Sequence, residues 1–144
     1  MNPEAFRLKY LEVVKFLKER SDQVIVSGGG ALLMLGLREQ TSDLDLDVRP
    51  GVFERHRTKD NVEIFGTTEI VNLDENVSLH RLNPAIQTMM VSDVCIYSID
   101  ELIRQKTRLM NHPERKKEKI AQDKADIDAL RKLKKSYQPS SFKW

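Results

Sequence analysis

The sequence is poor in cysteine and aromatic residues, and it has no long apolar run. Cys95 is the only cysteine among 144 residues, so an internal disulfide and a zinc site of several cysteines are excluded. No apolar run approaches the roughly 20 residues that span a bilayer. Residues 1–4 lack the basic and apolar regions of a signal peptide. A formal net charge of +2 is too small to indicate nucleic-acid binding by itself. These absences predict a cytoplasmic protein without a membrane partner.

The residues that are present suffice for one folded domain. Hydrophobic residues make up 40% of the chain and charged residues 32%, which is typical of a single globular domain with a charged surface. Apolar residues at helical spacing predict amphipathic helices over residues 6–20, 98–110 and 114–135. The second of these begins with a predicted capping box, in which Ser98 and Glu101 satisfy free amides. Runs of β-branched and aromatic residues predict strands over residues 62–65, 69–73, 77–82, 89–91 and 94–97. We therefore predict an α/β or α+β domain over residues 1–135, followed by a flexible tail over residues 136–144.

The stretch from Val24 to Val48 is the most informative part of the sequence. Residues 24–26 form a β-branched run that predicts a strand. Residues 27–30 predict a turn in which backbone amides approach a ligand without obstruction from side chains. Residues 31–37 predict a short apolar helix that ends near Gly36. A strand, a glycine turn and a helix in this order suit the binding of phosphate groups.

Acidic and apolar residues alternate strictly in the segment that follows. At a period of two, a strand places one set on each face, and the two sets are Asp43, Asp45, Asp47 and Leu44, Leu46, Val48. Three like charges on one face repel one another, so folding alone does not favour them. A divalent cation would offset this repulsion, and hard oxygen ligands suit Mg²⁺ or Mn²⁺. The segment therefore predicts a metal site.

Together these motifs resemble the nucleotidyltransferase superfamily, whose members have the polymerase-β-like fold. Its signature is a Gly-Gly or Gly-Ser turn that opens a helix, followed by Asp-x-Asp on the next strand. Gly28-Gly29 and residues 41–46, Thr-Ser-Asp-Leu-Asp-Leu, match this signature. The most similar branches are the toxin-type nucleotidyltransferases of abortive-infection and toxin–antitoxin systems and the small antibiotic nucleotidyltransferases. The resemblance implies a mixed, twisted sheet with flanking helices, in which Asp43 and Asp45 bind Mg²⁺.

The resemblance also implies roles for polar residues around these two aspartates. Ser27, Gly28 and Gly29 would hold the β- and γ-phosphates of an NTP through the hydroxyl and the backbone amides. Thr41 would shape the turn into the aspartate strand or touch phosphate itself. Asp47 continues the acidic face and has either a supporting role beside the metal ligands or none.

The similarity extends into the last third of the chain. Residues 98–106, Ser-Ile-Asp-Glu-Leu-Ile-Arg-Gln-Lys, and residues 123–127, Asp-Lys-Ala-Asp-Ile, are similar to two helical motifs of the toxin-type members. In that group a lysine contacts the nucleotide phosphates, a role that suits the point charge of Lys106. Asp123 and Asp126 match two helix acids near the active site. An ordinary charged helix surface is the alternative interpretation for all three residues.

One element of the superfamily pattern is missing. A third carboxylate usually comes from a later strand of the sheet, and residues 77–82 are where we would expect it. That segment contains Ser78 and His80 but no acid. The sequence leaves open whether the site binds one metal ion or two, and whether Asp123 serves as a substitute ligand.

These residues predict the transfer of a nucleoside monophosphate from an NTP to an acceptor hydroxyl, with release of pyrophosphate. The leading acceptors are tRNA and a protein side chain, and an antibiotic-like small molecule comes next. The chain leaves little room for an acceptor-binding domain, so a second protein subunit is another partner to consider.

Two other functions fit part of the pattern. A Rossmann dinucleotide fingerprint would use the glycines and an acid about 20 residues further on, and Asp47 lies at that distance. Leu33 occupies its third glycine position, however, and the fingerprint needs only one acid. A P-loop is excluded because no Gly-Lys-Ser/Thr follows the glycines. A catalytically degenerate member of the nucleotidyltransferase superfamily would instead act as a nucleotide-binding or partner-binding module.

Overall fold

The computed structural model describes residues 1–83 and 86–136 of the chain. The described residues form five α-helices and seven strands, so the prediction of an α+β protein is confirmed. The helices are α1 (Pro3–Leu17), α2 (Gly28–Met34), α3 (Pro50–His56), α4 (Ile99–Met110) and α5 (Lys117–Ser136). The strands are β1 (Val24–Val26), β2 (Leu44–Val48), β3 (Val62–Phe65), β4 (Thr68–Asn72), β5 (Val77–Arg81), β6 (Thr88–Val91) and β7 (Val94–Tyr97). Most of the predicted tail, residues 137–144, lies outside the described residues.

The chain divides into two compact units. The N-terminal unit, Met1–Tyr97, contains α1 to α3 and the whole sheet, and the C-terminal unit begins at Ser98 and contains α4 and α5. Over the described ranges, no helix combines the length and the apolar character needed to cross a membrane.

The seven strands form one mixed sheet in the order β3-β4-β5-β2-β1-β7-β6. The central strand β2 is antiparallel to β1 and parallel to β5. Because β1 and β2 run in opposite directions, Val26 at the end of β1 lies opposite Leu46, and the chain that follows β1 continues beside the first half of β2. This pairing brings the segment after β1 to the acidic strand.

The predicted alternation along β2 is confirmed for Leu44–Val48. Leu44, Leu46 and Val48 are almost completely buried, whereas Asp45 and Asp47 on the opposite face are half-buried. Apolar residues of one strand face thus enter the core, and the carboxylates lie on the other face. The strand begins one residue later than predicted. Asp43 lies just before it and is exposed.

Several predicted boundaries need correction. Helix α1 starts at Pro3, because the side chain of Asn2 accepts a hydrogen bond of 2.8 Å from the Ala5 amide and caps the helix. It ends at Leu17, since Lys18 adopts a left-handed conformation (φ 57°), so the prediction that it continues to residue 20 is wrong. Helix α2 includes all three glycines, which were predicted to form a turn before it.

The strand predicted at residues 69–73 is Thr68–Asn72, one residue earlier. The pairing of Phe65 with Thr68 leaves a two-residue turn, and Gly66 (φ +64°) supplies the backbone conformation that this turn requires. The hairpin predicted between β4 and β5 is confirmed, because the two strands are antiparallel neighbours.

Two of the three consecutive glycines are required by the structure, each for a different reason. Gly28 has φ +62°, a conformation that L side chains rarely adopt. Gly30 is buried, and a Cβ there would lie 2.4 Å from Cζ of Phe6 and 2.9 Å from Cγ1 of Val26. Phe6, on α1, is fully buried, so a side chain at Gly30 would force the core to repack. Gly30 therefore serves the packing of α1 on the sheet.

Candidate active site

The glycine segment and the aspartate strand meet directly. The amide of Ser27 donates a hydrogen bond of 3.1 Å to the carbonyl oxygen of Asp45, and the Ser27 hydroxyl lies 3.5 Å from the same atom. A Cβ at Gly28 would lie 3.7 Å from Oδ2 of Asp45. The Asp45 carboxylate therefore faces the backbone of Gly28, where no side chain intervenes. The antiparallel pairing of β1 and β2 produces this proximity between residues that are 17 or 18 apart in sequence.

The second oxygen of Asp45 is held by the neighbouring strand. Asp45 and Ser78 are directly paired across β2 and β5, so their side chains lie on the same face of the sheet. The Ser78 hydroxyl donates to Oδ1 of Asp45 at 2.7 Å, and Nε2 of His80 lies 3.4 Å from the same hydroxyl. β5 is the strand on which we expected a third carboxylate, and Ser78 takes the position beside Asp45.

Asp47 has a different environment on the same face. Its carboxylate accepts a hydrogen bond from the hydroxyl of Tyr97, and His80 is its partner across the strands. Burial raises the pKa of Asp47, the charge of Asp45 adds to this effect, and Tyr97 and His80 act in the opposite direction. Asp47 is therefore already engaged by a protein hydroxyl, which suits a supporting role.

Asp47→Asn is expected to raise the melting temperature of the metal-free protein at neutral pH. Because the pKa of Asp47 is raised in the folded state, the ionised carboxylate costs stability at neutral pH. This cost disappears as the pH falls through the raised pKa to below the unfolded value of about 3.9.

Thermal melting in EDTA across this pH range measures the difference between the variant and the wild type. The gain should be largest at neutral pH and should shrink in acid. The exposed residue Asp60, changed to Asn, is the control for the loss of one carboxylate. A gain that does not depend on pH would contradict the assignment to the titration of Asp47.

Asp43 and Thr41 lie in the connection that leads into β2. Asp43 is exposed just before the strand, and Thr41 is half-buried. A Cβ at Gly29 would lie 3.5 Å from Oγ1 of Thr41, so the hydroxyl lies beside the glycine segment. Thr41 is thus near the backbone that was predicted to hold phosphate.

Arg38 is a candidate binding residue that sequence reasoning missed. A Cβ at Gly29 would lie only 2.6 Å from Nη1 of Arg38, so the guanidinium group rests against the Gly29 backbone. Guanidinium groups bind phosphate oxygens through paired N–H donors. Its only signal in the sequence is a basic residue in the polar connection between the glycines and the aspartates. No periodicity or spacing distinguishes such a residue.

In the C-terminal unit, the three predicted polar residues form one buried cluster. Nζ of Lys106 lies 3.0 Å from Oδ2 of Asp126 and 3.5 Å from Oδ1 of Asp123. Arg115 donates to both oxygens of Asp123, at 2.9 and 2.8 Å. The structure therefore brings Lys106, Asp123 and Asp126 together and adds Arg115, which sequence reasoning treated as part of a helix.

The charges in this cluster are balanced. Burial acts to raise the pKa of Asp123, but the hydrogen bonds from Arg115 and the charges of Arg115 and Lys106 outweigh it, so the pKa lies below its usual value. Gln122 donates to Asp126 at 2.9 Å and satisfies its other oxygen. Both carboxylates are therefore engaged by protein groups on each of their oxygens.

The capping box predicted at the start of α4 is half confirmed. The Ser98 side chain accepts a hydrogen bond from the Glu101 amide at 3.2 Å. The Glu101 carboxylate does not return to Ser98, because it binds Arg104 at 2.8 Å and Arg108 at 3.2 Å. Ser98 is thus the N-cap, and Glu101 is a buried ion-pair partner.

The residues of the N-terminal unit suit a magnesium ion that takes some of its ligands from the protein and the others from a bound substrate. Among the residues described, no group of three or more His, Cys, Asp or Glu side chains is arranged to hold a metal ion. Mg²⁺ typically takes only one or two protein carboxylates, together with substrate phosphates and water. Asp45, with Oδ2 facing Gly28, and the exposed Asp43 fit this pattern.

Neither protein-family models, curated proteins nor solved structures include a match to this chain.

Proposed function

We propose that this chain is a metal-dependent nucleotidyltransferase, which moves a nucleoside monophosphate from an NTP to an acceptor hydroxyl. The observation that carries the proposal is the distance of 3.7 Å between Oδ2 of Asp45 and the Cβ position at Gly28. A carboxylate that faces a glycine backbone supports joint binding of a divalent cation and the phosphates that the cation neutralises. The sequence resemblance to the nucleotidyltransferase superfamily supports the same reaction.

The residues have separate tasks in this proposal. Asp43 and Asp45 would hold Mg²⁺, which when bound would neutralise the triphosphate and lower the pKa of the attacking hydroxyl. The Ser27 hydroxyl and the backbone amides of Gly28 and Gly29 bind the β- and γ-phosphates, and Arg38 adds charged N–H donors to phosphate oxygens. Lys106 stays a predicted phosphate contact.

The transfer forms one bond and breaks one. The acceptor oxygen bonds to the α-phosphorus, and the bond from this phosphorus to the bridging oxygen breaks. Pyrophosphate leaves with that electron pair, and the acceptor proton passes to water. Fixed phosphate positions favour the reaction because they hold the α-phosphorus in line with the acceptor. The similarity to toxin-type members supports tRNA or a protein side chain as the acceptor, followed by a small molecule.

Thermal melting with each NTP, with and without Mg²⁺, tests the proposal. Ligand at about a hundredfold above its dissociation constant should stabilise the protein by roughly 2.7 kcal/mol. The shift should require Mg²⁺ and should vanish in Asp43→Ala. The nucleotide that gives the largest shift would then be used, with its α-phosphate labelled, to search for a labelled tRNA or protein.

A catalytically degenerate nucleotide-binding or partner-binding module is the second candidate function. It is favoured by Ser78, which stands beside Asp45 where a further carboxylate would strengthen the metal site. An NTP-dependent shift without transfer to any acceptor would support this second function. No shift with any nucleotide would favour a degenerate module that works through a partner over the enzyme.

A further inference from the structure

The two oxygens of the Asp45 carboxylate have different surroundings. Oδ1 accepts the hydrogen bond of 2.7 Å from Ser78, and Oδ2 is the oxygen that lies closest to Gly28. A carboxylate at the surface of a sheet ordinarily rotates about its terminal bond, because that torsion is broad. The hydrogen bond to Ser78 occupies one oxygen and restricts this rotation, so that the other oxygen faces the glycine segment.

Ser78 is itself held in place by its strand and by His80. The pairing of β5 with β2 continues on both sides of it, from Val77 opposite Leu44 to Arg81 opposite Val48. A serine hydroxyl has a single proton. Ser78 uses it for the hydrogen bond that it donates to Asp45, so only its lone pairs remain, as acceptors. Nε2 of His80 lies 3.4 Å from the hydroxyl oxygen, in a contact whose hydrogen-bond direction depends on the imidazole tautomer.

We propose that Ser78 is a positioning residue, which fixes the Asp45 carboxylate so that Oδ2 is presented to the metal ion and the glycine segment. This inference rests on the proposed function, because it assigns Asp45 as a metal ligand. A ligand that is already oriented loses less conformational freedom when it binds. Hydrogen-bond partners of metal ligands act in this way, and their removal typically weakens metal binding by about 10- to 100-fold.

Binding of Mn²⁺ to the full-length, nucleotide-free protein tests the inference. Electron paramagnetic resonance of free Mn²⁺ gives the dissociation constant for each variant. Ser78→Ala removes the donor and should weaken Mn²⁺ binding by about 10- to 100-fold. Ser78→Thr keeps the hydroxyl on a residue that strands accept, and it should restore binding to within about threefold of the wild type. Ser21→Ala, which removes a serine hydroxyl elsewhere in the N-terminal unit, should leave binding unchanged.

Melting of the metal-free variants separates positioning from a structural role. A positioning residue changes the Mn²⁺ dissociation constant while the metal-free melting temperature stays the same. If Ser78→Ala does not fold, Ser78→Cys keeps the side-chain size and replaces the hydroxyl with a weak donor. It should then show the same loss of affinity.

The outcomes distinguish this inference from the proposed function. Wild-type affinity for Mn²⁺ in Ser78→Ala or Ser78→Cys would overturn the positioning role and leave the nucleotidyltransferase proposal intact. Equal losses in the Ala and Thr variants would also overturn it, because the hydroxyl would then not be the cause. A wild-type protein that binds neither Mn²⁺ nor NTP would remove the proposed function, and this inference with it.

Discussion

Asp45→Asn is expected to lower the rate of nucleotide transfer by at least about 10³-fold. A metal ion contributes several kcal/mol of charge stabilisation to such a transition state, and each 1.36 kcal/mol corresponds to a factor of ten. Asparagine keeps the size of the side chain and an oxygen that accepts from Ser78, but it loses the negative charge that binds the cation. Asp43→Asn should have a comparable effect, since both aspartates are predicted ligands.

The fold should survive these substitutions. The charge of Asp45 contributes to the raised pKa of Asp47, so the two carboxylates repel each other in the metal-free protein. Removing one charge should leave the melting temperature unchanged or slightly higher. Steady-state release of pyrophosphate measures the activity, circular dichroism measures the melting, and Asp60→Asn is the matched control. Activity within tenfold of the wild type, or an unfolded variant, would show that the ligand assignment is wrong.

Asp123→Ala is expected to lower the free energy of unfolding by about 3 kcal/mol. Removing one partner of a buried ion pair leaves the other charge uncompensated, which typically costs 3–5 kcal/mol. We expect the lower end of this range for two reasons. The Lys106 ammonium keeps its ion pair with Asp126, and the Arg115 side chain is 23% exposed, so solvent partly compensates its charge. The effect should shrink in acid, because the pKa of Asp123 is lowered in the folded state and its contribution is lost as the pH falls through that value.

Urea unfolding at neutral and acidic pH measures this effect. Asp128→Ala, an exposed aspartate on the same helix, should change stability by less than about 0.5 kcal/mol. Asp123→Asn keeps the volume and removes only the charge, so it separates the ion pair from packing. A loss below about 1 kcal/mol in Asp123→Ala would mean that the cluster contributes little to stability. Asp123 would then be a better candidate for a role in the reaction.

The sequence was most informative where a pattern is local. The alternation of acidic and apolar residues from Leu44 to Val48 depends only on the period of a strand, and it correctly predicted which side chains are buried. The start of α4 was predicted from Ser98 in the same way, because an N-cap acts within one helical turn. Each of these features is determined by residues that are close together in the chain.

The sequence was least informative where the partner of a residue lies on another element. The contact of Arg38 with Gly29 depends on how the connection after α2 folds back, and no spacing encodes this. The hydrogen bond from Ser78 to Asp45 joins residues 33 positions apart and depends on the register of β5 against β2. In the sequence, Ser78 was notable only because it lies on the strand where an acid was expected. It could not anticipate that the hydroxyl would hold the carboxylate.

The place of β2 in the strand order has a consequence for how the protein opens. β2 has three strands on each side, with β3 and β6 at the two edges. Edge strands fray at low free energy, whereas a central strand loses its hydrogen bonds only in larger openings. Amide hydrogens of β3 and β6 should therefore exchange with solvent much faster than those of β2. The aspartates of β2 sit on the part of the sheet that fraying reaches last, so substitutions and insertions at either edge should leave their geometry intact.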